Sequence, residues 1–388
     1  FKLAQAVCKL QGEEHHCEEL LDLVALGTVA DIVPLREENR ILVKEGLKRI
    51  TALKRPGVQA LLNVAGLKTE QISAGQVGFV LAPRLNACGR LSQADTGVEL
   101  LLTEDAEQAE KLARLLDQEN KNRQALETGI LNEALELMGQ KNDPARDRVI
   151  VLASANWHPG VIGIVASRLV EKFYRPAIMI SIEDGVGKGS ARSIAGFNLY
   201  QALQHVEGLL LKFGGHEMAA GLSIREENIP ELKAALNKYA HEVMSEKDLL
   251  PSLQVDCDIF PAEINPALIE DMEKLAPFGY QNPAPVFALR DRVVSNWRQI
   301  GNNNNHLKLR VLAGKDNWLD AVVFQAGGLK EEACTLERCD LAFIPEMNTW
   351  QGRSQVQLIV KDLKSSAEPD DPTQPLSFLD RLYSDGEI

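Results

Sequence analysis

The sequence predicts an α/β multidomain chain in which a helix-rich first block, one long helix, a compact αβ domain and a small β-barrel follow in order. Three patterns carry that expectation. The run DAEQAEKLARLLDQENKNRQALETGILNEALELM, from Asp105 to Met138, contains no proline and is dominated by strong helix formers. Directly after it, two β-branched apolar runs flank a turn and an apolar helical stretch, the order strand, helix, strand that a parallel βαβ unit requires. From about Pro251, five runs of alternating character are separated by turn residues, the signature of a small barrel. At 388 residues the chain exceeds one ordinary core, so two or three domains are expected.

Residues 1–103 mix helical periodicity with glycine-bearing loops and include the apolar stretch LLDLVALGTVADIVPL. Residues 104–140 read as one helix, with Ala109, Leu112, Ala113 and Leu116 on one stripe and Leu126, Ile130, Ala134 and Met138 on another. The intervening stretch from Glu119 to Gln124 is wholly polar, and two helices broken near Asn120 to Asn122 are the competing reading. Residues 141–248 form the αβ block: strand DRVIVLAS, turn NWHPG, helix VIGIVASRLVEKF, strand PAIMISI, then GKGSARS and a helix around Leu199 to His205. Residues 249–364 supply the barrel strands PVFALRDRVVSNWRQI, HLKLRVLAG, WLDAVVFQA, CDLAFIPEM and SQVQLIVKDL, with a helix between Pro266 and Leu275. This is the pattern of an OB-type fold, a common binder of single strands. Residues 365–388, with Pro, Asp and Ser, read as a linker-like tail.

Composition narrows the function classes. With 45% apolar and 25% charged residues, no apolar run near the roughly 20 residues of a membrane span and no signal-peptide pattern, a cytoplasmic globular protein is expected. The six cysteines form no CxxC pair, so neither a zinc site nor a disulfide framework is implied. A formal charge of −13 argues against wholesale wrapping of nucleic acid but leaves room for a local basic groove. The chain opens on Phe1 within an amphipathic pattern (Leu3, Val7, Leu10), as expected of a sequence cut upstream.

Several stretches hold chemistry-bearing residues. In KFGGHEMAAGLS, Gly214 and Gly215 precede His216, a step that can present an imidazole beside exposed backbone N–H groups, which suits an anion. A turn with a core histidine competes with that reading. In GTVADIVPL, Asp31 follows a rigid apolar element, as a ligand for a hard divalent cation would; a helix-end aspartate is the plainer alternative, and one aspartate cannot hold a metal. APRLNACGRL places Arg84 and Arg90 around what reads as a small-residue turn, where guanidinium forks suit phosphate but surface salt bridging competes. GKGSARS gathers Ser190, Arg192 and Ser193 on what reads as a glycine-loosened strand edge, and NWHPGVIG sets His158 before a helix start, either for an anion or as a cap. His15 and His16 are helix neighbours that face apart and make a poor metal pair.

The ordered combination LDLVALGTVADIVPL, PRLNACGRL, long helix, WHPGVIGIVASRL, GSARS and LKFGGHEMAAGL resembles the DHH/DHHA1 phosphoesterases, and within them the single-strand-specific 5′ to 3′ DNA exonucleases of repair and recombination. The resemblance extends to about Lys364. It implies that the first block is the C-terminal part of a DHH domain, the αβ block a DHHA1 domain and the barrel an OB domain. It further implies Asp31 as a ligand of Mn²⁺ or Mg²⁺ in a two-ion centre, Ser190 and Arg192 as donors to a 5′-terminal phosphate, and His216 with Gly214 and Gly215 beside the scissile phosphate. Arg84 and Arg90 fall at the DNA groove by the same resemblance. The remaining metal-binding motifs lie upstream of Phe1, so this chain alone is expected to be inactive. Single-stranded DNA with a 5′ end is the implied partner, with a helicase and a single-strand binding protein as further partners of a monomeric, membrane-free enzyme. A non-catalytic single-strand binding module and a DHH-type hydrolase of short oligonucleotides or nucleoside bisphosphates are the alternatives. Trp297, Trp318 and Trp350 are candidate stacking platforms on the barrel.

Overall fold

The computed structural model describes residues 1–12, 17–52, 54–68, 70–91, 95–141, 147–301, 304–315, 317–324, 326, 337–350 and 352–366. His15 and His16 lie outside them. The chain divides into two units, Phe1–Gly129 with Glu273–Ala284, and Ile130–Met272 with Pro285–Ile388.

The first unit is helical. Its opening elements are α1 (Lys2–Gln11), α2 (Leu21–Ala30), α3 (Glu37–Thr51) and α4 (Pro56–Val64), the last begun by a proline whose missing N–H costs nothing in a first turn. Next, a short helical turn at Ala74–Gln76 runs through a π segment, Val77–Leu81, into α5 (Ala82–Leu91), and α6 (Asp95–Leu102) follows. The APRLNACGRL stretch is therefore helix and not a turn. Pro83 has no N–H to give the carbonyl one turn back, and the π segment, where the Ala82 N–H reaches Val77 O, absorbs the mismatch without ending the helix. Buried Leu26, Val43, Ile50, Leu61, Leu62, Leu81 and Leu100 form the core.

Helix α7 (Ala106–Lys141) runs unbroken for 36 residues, about 54 Å at 1.5 Å per residue. Ala109, Ala113 and Leu116 are buried in the first unit's core. The polar middle of the helix survives because its polar groups satisfy one another: buried Arg123 bonds Asn120 and Glu127, and Asp117 pairs with Arg84 and Lys121. A break at 120–122 is thereby avoided.

The second unit holds two sheets. The first is five-stranded, in the order β1 (Ile150–Ser154), β2 (Ala177–Glu183), β3 (Val186–Arg192), β5 (Ala219–Arg225), β4 (Leu210–Gly215). Only β1 and β2 are parallel, joined through α8 (Ile162–Phe173). On one face, α9 (Leu199–His205) and α10 (Ile229–Val243) bury Leu199, Leu203, Leu232 and Leu236 with Ile178, Ile180, Leu222 and Ile224 of the sheet. Helix α8 lies against β2 and β3.

The barrel closes through five strands. The strands β7 (Phe287–Ile300), β8 (His306–Leu312), β9 (Trp318–Val323), β11 (Arg353–Ser365) and β10 (Arg338–Trp350) pair in that order, and β10 pairs back onto β7. Alternate residues Leu307, Leu309, Val311, Ala321, Val323, Leu341, Phe343, Leu358 and Val360 fill the interior. A short β6 (Cys257–Asp258) adds to β7, and α11 (Pro266–Glu273) precedes it. Among the described residues no helix is long and apolar enough to cross a membrane.

Candidate nucleic-acid interface

Strand β3 is central in its sheet, so GKGSARS is not an edge. Its glycines serve packing: a Cβ on Gly187 would sit 2.6 Å from Ile180 and one on Gly189 2.7 Å from Leu222. The period of two then turns Lys188, Ser190 and Arg192 to the opposite face. Pairing carries that face outward. Ser190 faces Gly221, which faces Gly214, and Arg192 faces Ala219. Gly214 and Gly221 are exposed, and neither has a side chain to cover the row.

The start of α8 closes one side of this face. A Cβ on Gly163 would lie 2.8 Å from Ser190 Oγ and 3.2 Å from an Arg192 terminal nitrogen, so the backbone of the first helical turn and the two side chains converge. The N-cap residue of this helix, Val161, makes no side-chain cap hydrogen bond. Arg192 donates to Ser190 Oγ at 3.3 Å and to Ala191 O at 2.8 Å, which holds the guanidinium half-buried over the strand. His158 shapes the approach: its carbonyl accepts from Val161 and Ile162, and its Nδ1 accepts from the Gly160 N–H at 3.1 Å. A hydroxyl, a guanidinium and a helix N-terminus meeting at one place form an anion cradle.

The Gly-Gly-His stretch ends β4 and opens a tight hairpin into β5. Gly215 has φ 148°, and a Cβ there would fall 2.5 Å from both Ala219 O and the Ala220 Cα. Only glycine fits. The His216 N–H donates to Ala219 O, and the turn is pinned again by Ser193 N–H to Met218 O and Leu199 N–H to Glu217 O. His216 is exposed on this fixed turn, and no described residue hydrogen-bonds its imidazole.

Of the other sequence candidates, Ser193 belongs to the second unit and Arg84, Arg90 and Asp31 to the first. Ser193 is 5% exposed and its hydroxyl donates inward to Phe197 O at 2.6 Å, so it shapes the loop after β3. Arg84 is held by Asp117 at 2.9 Å and by Val80 O at 2.7 Å, where it braces α7. Burial raises the Asp117 carboxyl's pKa, but Lys121 and Arg84 outweigh it and hold the group below its ordinary value. Arg90 is exposed at the end of α5. Asp31 sits in the first unit at the end of α2, exposed, its N–H on Gly27 O, and the next residue, Ile32, has φ 54°. Among the described residues no group of three or more His, Cys, Asp or Glu could hold a metal ion.

A strap in the first unit has no local signal in the sequence, whereas a groove on the barrel gives residues to the expected local basic groove. In the first unit, Arg40 of α3 donates to the carbonyls of Lys274, Leu275 and Ala276, Arg36 to Gln281 O, and the Leu35 N–H to Tyr280 O. Residues 273–284 are thus strapped onto the segment that follows Asp31. On the barrel, Asn296, Trp297, Arg298, Lys308, Arg310 and Asp320 line a groove of about 380 Å³. Lys308 pairs with Asp320 at 2.6 Å, Arg310 lies 3.8 Å from the same carboxylate and 5.8 Å from the Trp318 ring centre, and Arg298 adds a third cation to the lining. Trp297 packs against the barrel core, while the Trp350 side chain lies outside the described residues.

Comparison with known proteins agrees with this architecture. Residues 146–242 match the DHHA1 domain and residues 255–362 the RecJ OB domain. Over 364 residues the chain is 42% identical to the single-stranded-DNA-specific exonuclease RecJ of Bacillus subtilis, covering 93% of this chain. The chain belongs to the RecJ family. RecJ of Dickeya dadantii is 40% identical over 360 residues. A crystal structure of Thermus thermophilus RecJ in complex with Mn²⁺ superposes with a TM-score of 0.79 at 33% identity, covering 91% of this chain and 50% of that one. The chain spans 45% of the B. subtilis RecJ and 62% of the D. dadantii one.

Proposed function

We propose that this chain is the end-gripping and strand-guiding part of a RecJ-type, single-strand-specific 5′ to 3′ DNA exonuclease. The observation that carries the reading is the convergence of Ser190 Oγ, Arg192 and the α8 start at Gly163 beside the part of the sheet face that Gly221 and Gly214 leave open. In this reading the cradle takes the 5′-terminal phosphate, and the rigid Gly214–Gly215–His216 turn lies beside the phosphodiester to be cut. Fixing the end in the cradle limits the register of cleavage. The basic groove of the barrel, with Trp318 under Arg310, takes the trailing strand by charge and stacking. Among the remaining candidates, His158 acts through the turn that opens α8, and Arg90 is an outlying DNA contact.

Whole relatives are the setting for the cutting chemistry. Solved RecJ structures hold Mg²⁺ or Mn²⁺, and a two-ion centre activates water and steadies the phosphoryl charge. The described residues do not fit such a centre. Asp31 is one exposed carboxylate that belongs to no group of three or more His, Cys, Asp or Glu among the described residues, and a hard divalent ion needs six or more oxygens. This chain by itself therefore binds and does not cut. A repair setting, in the cytoplasm, with a helicase and a single-strand binding protein as partners of a monomer, completes the proposal. The test is incubation of the purified 388-residue chain with Mn²⁺ and a 5′-phosphorylated single strand. Retained binding without shortening of the strand is expected, and release of mononucleotides overturns the division of labour.

A further inference from the structure

Next to the Ser190 row runs a second row on the same sheet face. Lys188 of β3 pairs with Ser223 of β5, and Ser223 pairs with Lys212 of β4, so two ammonium groups flank one hydroxyl across three strands. All three point away from the core, because their neighbours Gly187, Leu222 and Ile224 are buried or face it. Both lysines are exposed. Lys188 has one loose ion pair, to Glu183 at 3.7 Å with both side chains mostly in water, and Lys212 has no ion pair among the described residues. The two lysine Cα atoms are separated by two interstrand spacings, about 9.6 Å, within easy reach of one shared anion. The rows themselves are two residues apart, about 6.8 Å along the strands. That interval is comparable to the step between successive phosphates of one nucleic-acid strand.

We propose that Lys188, Ser223 and Lys212 form a second phosphate subsite, which takes an internucleotide phosphate of the same strand whose 5′ end occupies the Ser190 and Arg192 cradle. The assignment rests on the end-binding reading for its register only. The glycines at 221 and 214 leave the Ser190 row without side chains on β5 and β4, so a sugar and base can lie beside the lysines without meeting one. Exposed lysines contribute charge without shape, so the subsite adds affinity and register while remaining indifferent to sequence.

The test uses the whole 388-residue chain in EDTA, where binding alone is read. Four 5′-phosphorylated thymidine oligonucleotides are compared by fluorescence anisotropy: one all-phosphodiester, and three with a neutral methylphosphonate at the first, second or third linkage. Neutralising one position should weaken binding to the wild type by roughly threefold to tenfold, the sum expected of two exposed ion pairs. In K188A/K212A that penalty should vanish, and the slope of log affinity against log salt should be shallower by about 0.7. K188R/K212R, which keeps the charges, should restore it. If no position carries a penalty that depends on the lysines, the subsite does not exist. If a lysine-dependent penalty is spread over all three linkages and is the same for 5′-hydroxyl strands, the cationic row stands and the end-anchoring beneath it fails.

Discussion

Substituting alanine at Gly163 separates fold from function. The added methyl would lie 2.8 Å from Ser190 Oγ and 3.2 Å from an Arg192 nitrogen, and both are movable side-chain ends. The fold can therefore accommodate it: rotation of the serine hydroxyl and a small shift of the guanidinium cost little, and alanine in a helix regains about 0.5–1 kcal/mol over glycine. Stability should change by no more than about 1 kcal/mol, a shift of a few degrees in Tm for a chain of this size. The cradle cannot be restored in the same way, because the methyl fills the space between the helix start and the two side-chain donors. Losing one charge-assisted hydrogen bond to phosphate costs about 1.5–3 kcal/mol, or roughly tenfold to a hundredfold in affinity. The assay is the ratio of dissociation constants for 5′-hydroxyl and 5′-phosphate forms of one oligonucleotide, with thermal unfolding in parallel. G163A should unfold like the wild type and lose most of the phosphate preference. An unchanged preference in a folded G163A protein would refute the reasoning.

Three other substitutions bear on the frame that positions these groups. G215A places a Cβ 2.5 Å from backbone atoms at φ 148°, and should destabilise the second unit by at least about 1–3 kcal/mol in denaturant titration, with loss of protection at the His216 amide. R40A removes three bonds to the strap carbonyls and should cost about 1–3 kcal/mol, read as faster hydrogen exchange at Leu35 and Gly279; R40K should not rescue it, since an ammonium lacks the planar fork. D117N should destabilise the first unit by about 1–3 kcal/mol at neutral pH. The Asp117 carboxyl is held below its ordinary value, so its contribution is complete above about pH 4 and is lost as pH falls through the lowered value. Wild type and D117N should accordingly converge in stability below that range, and a gap that persists in acid would show that the charge is not the cause.

The parts of this architecture that depend on local periodicity were legible in the sequence. The barrel strands read from their alternation, and α7 from its lack of proline together with stripes at Ala109, Ala113 and Leu116. Local turn chemistry misled at APRLNACGRL, where Pro83, Asn86 and Gly89 signal a turn that the π segment overrides. In GSARS the motif groups three donors, yet burial separates them: Ser190 and Arg192 stay on the strand's outer face, while Ser193, one step past its end, turns in to Phe197 O. Lys188 and Lys212 could not be paired from sequence, because their row passes through β5, which follows both strands in the chain. The Arg40 strap joins residues more than 230 positions apart, and no local pattern announces such a contact.

The most direct measurement is the affinity of the purified chain, in EDTA, for one single-stranded oligonucleotide with and without its 5′-phosphate. Tighter binding of the phosphorylated form by roughly tenfold or more, abolished in R192A, is what an end-gripping sheet face requires. Equal affinities for the two forms in the wild-type chain would contradict it.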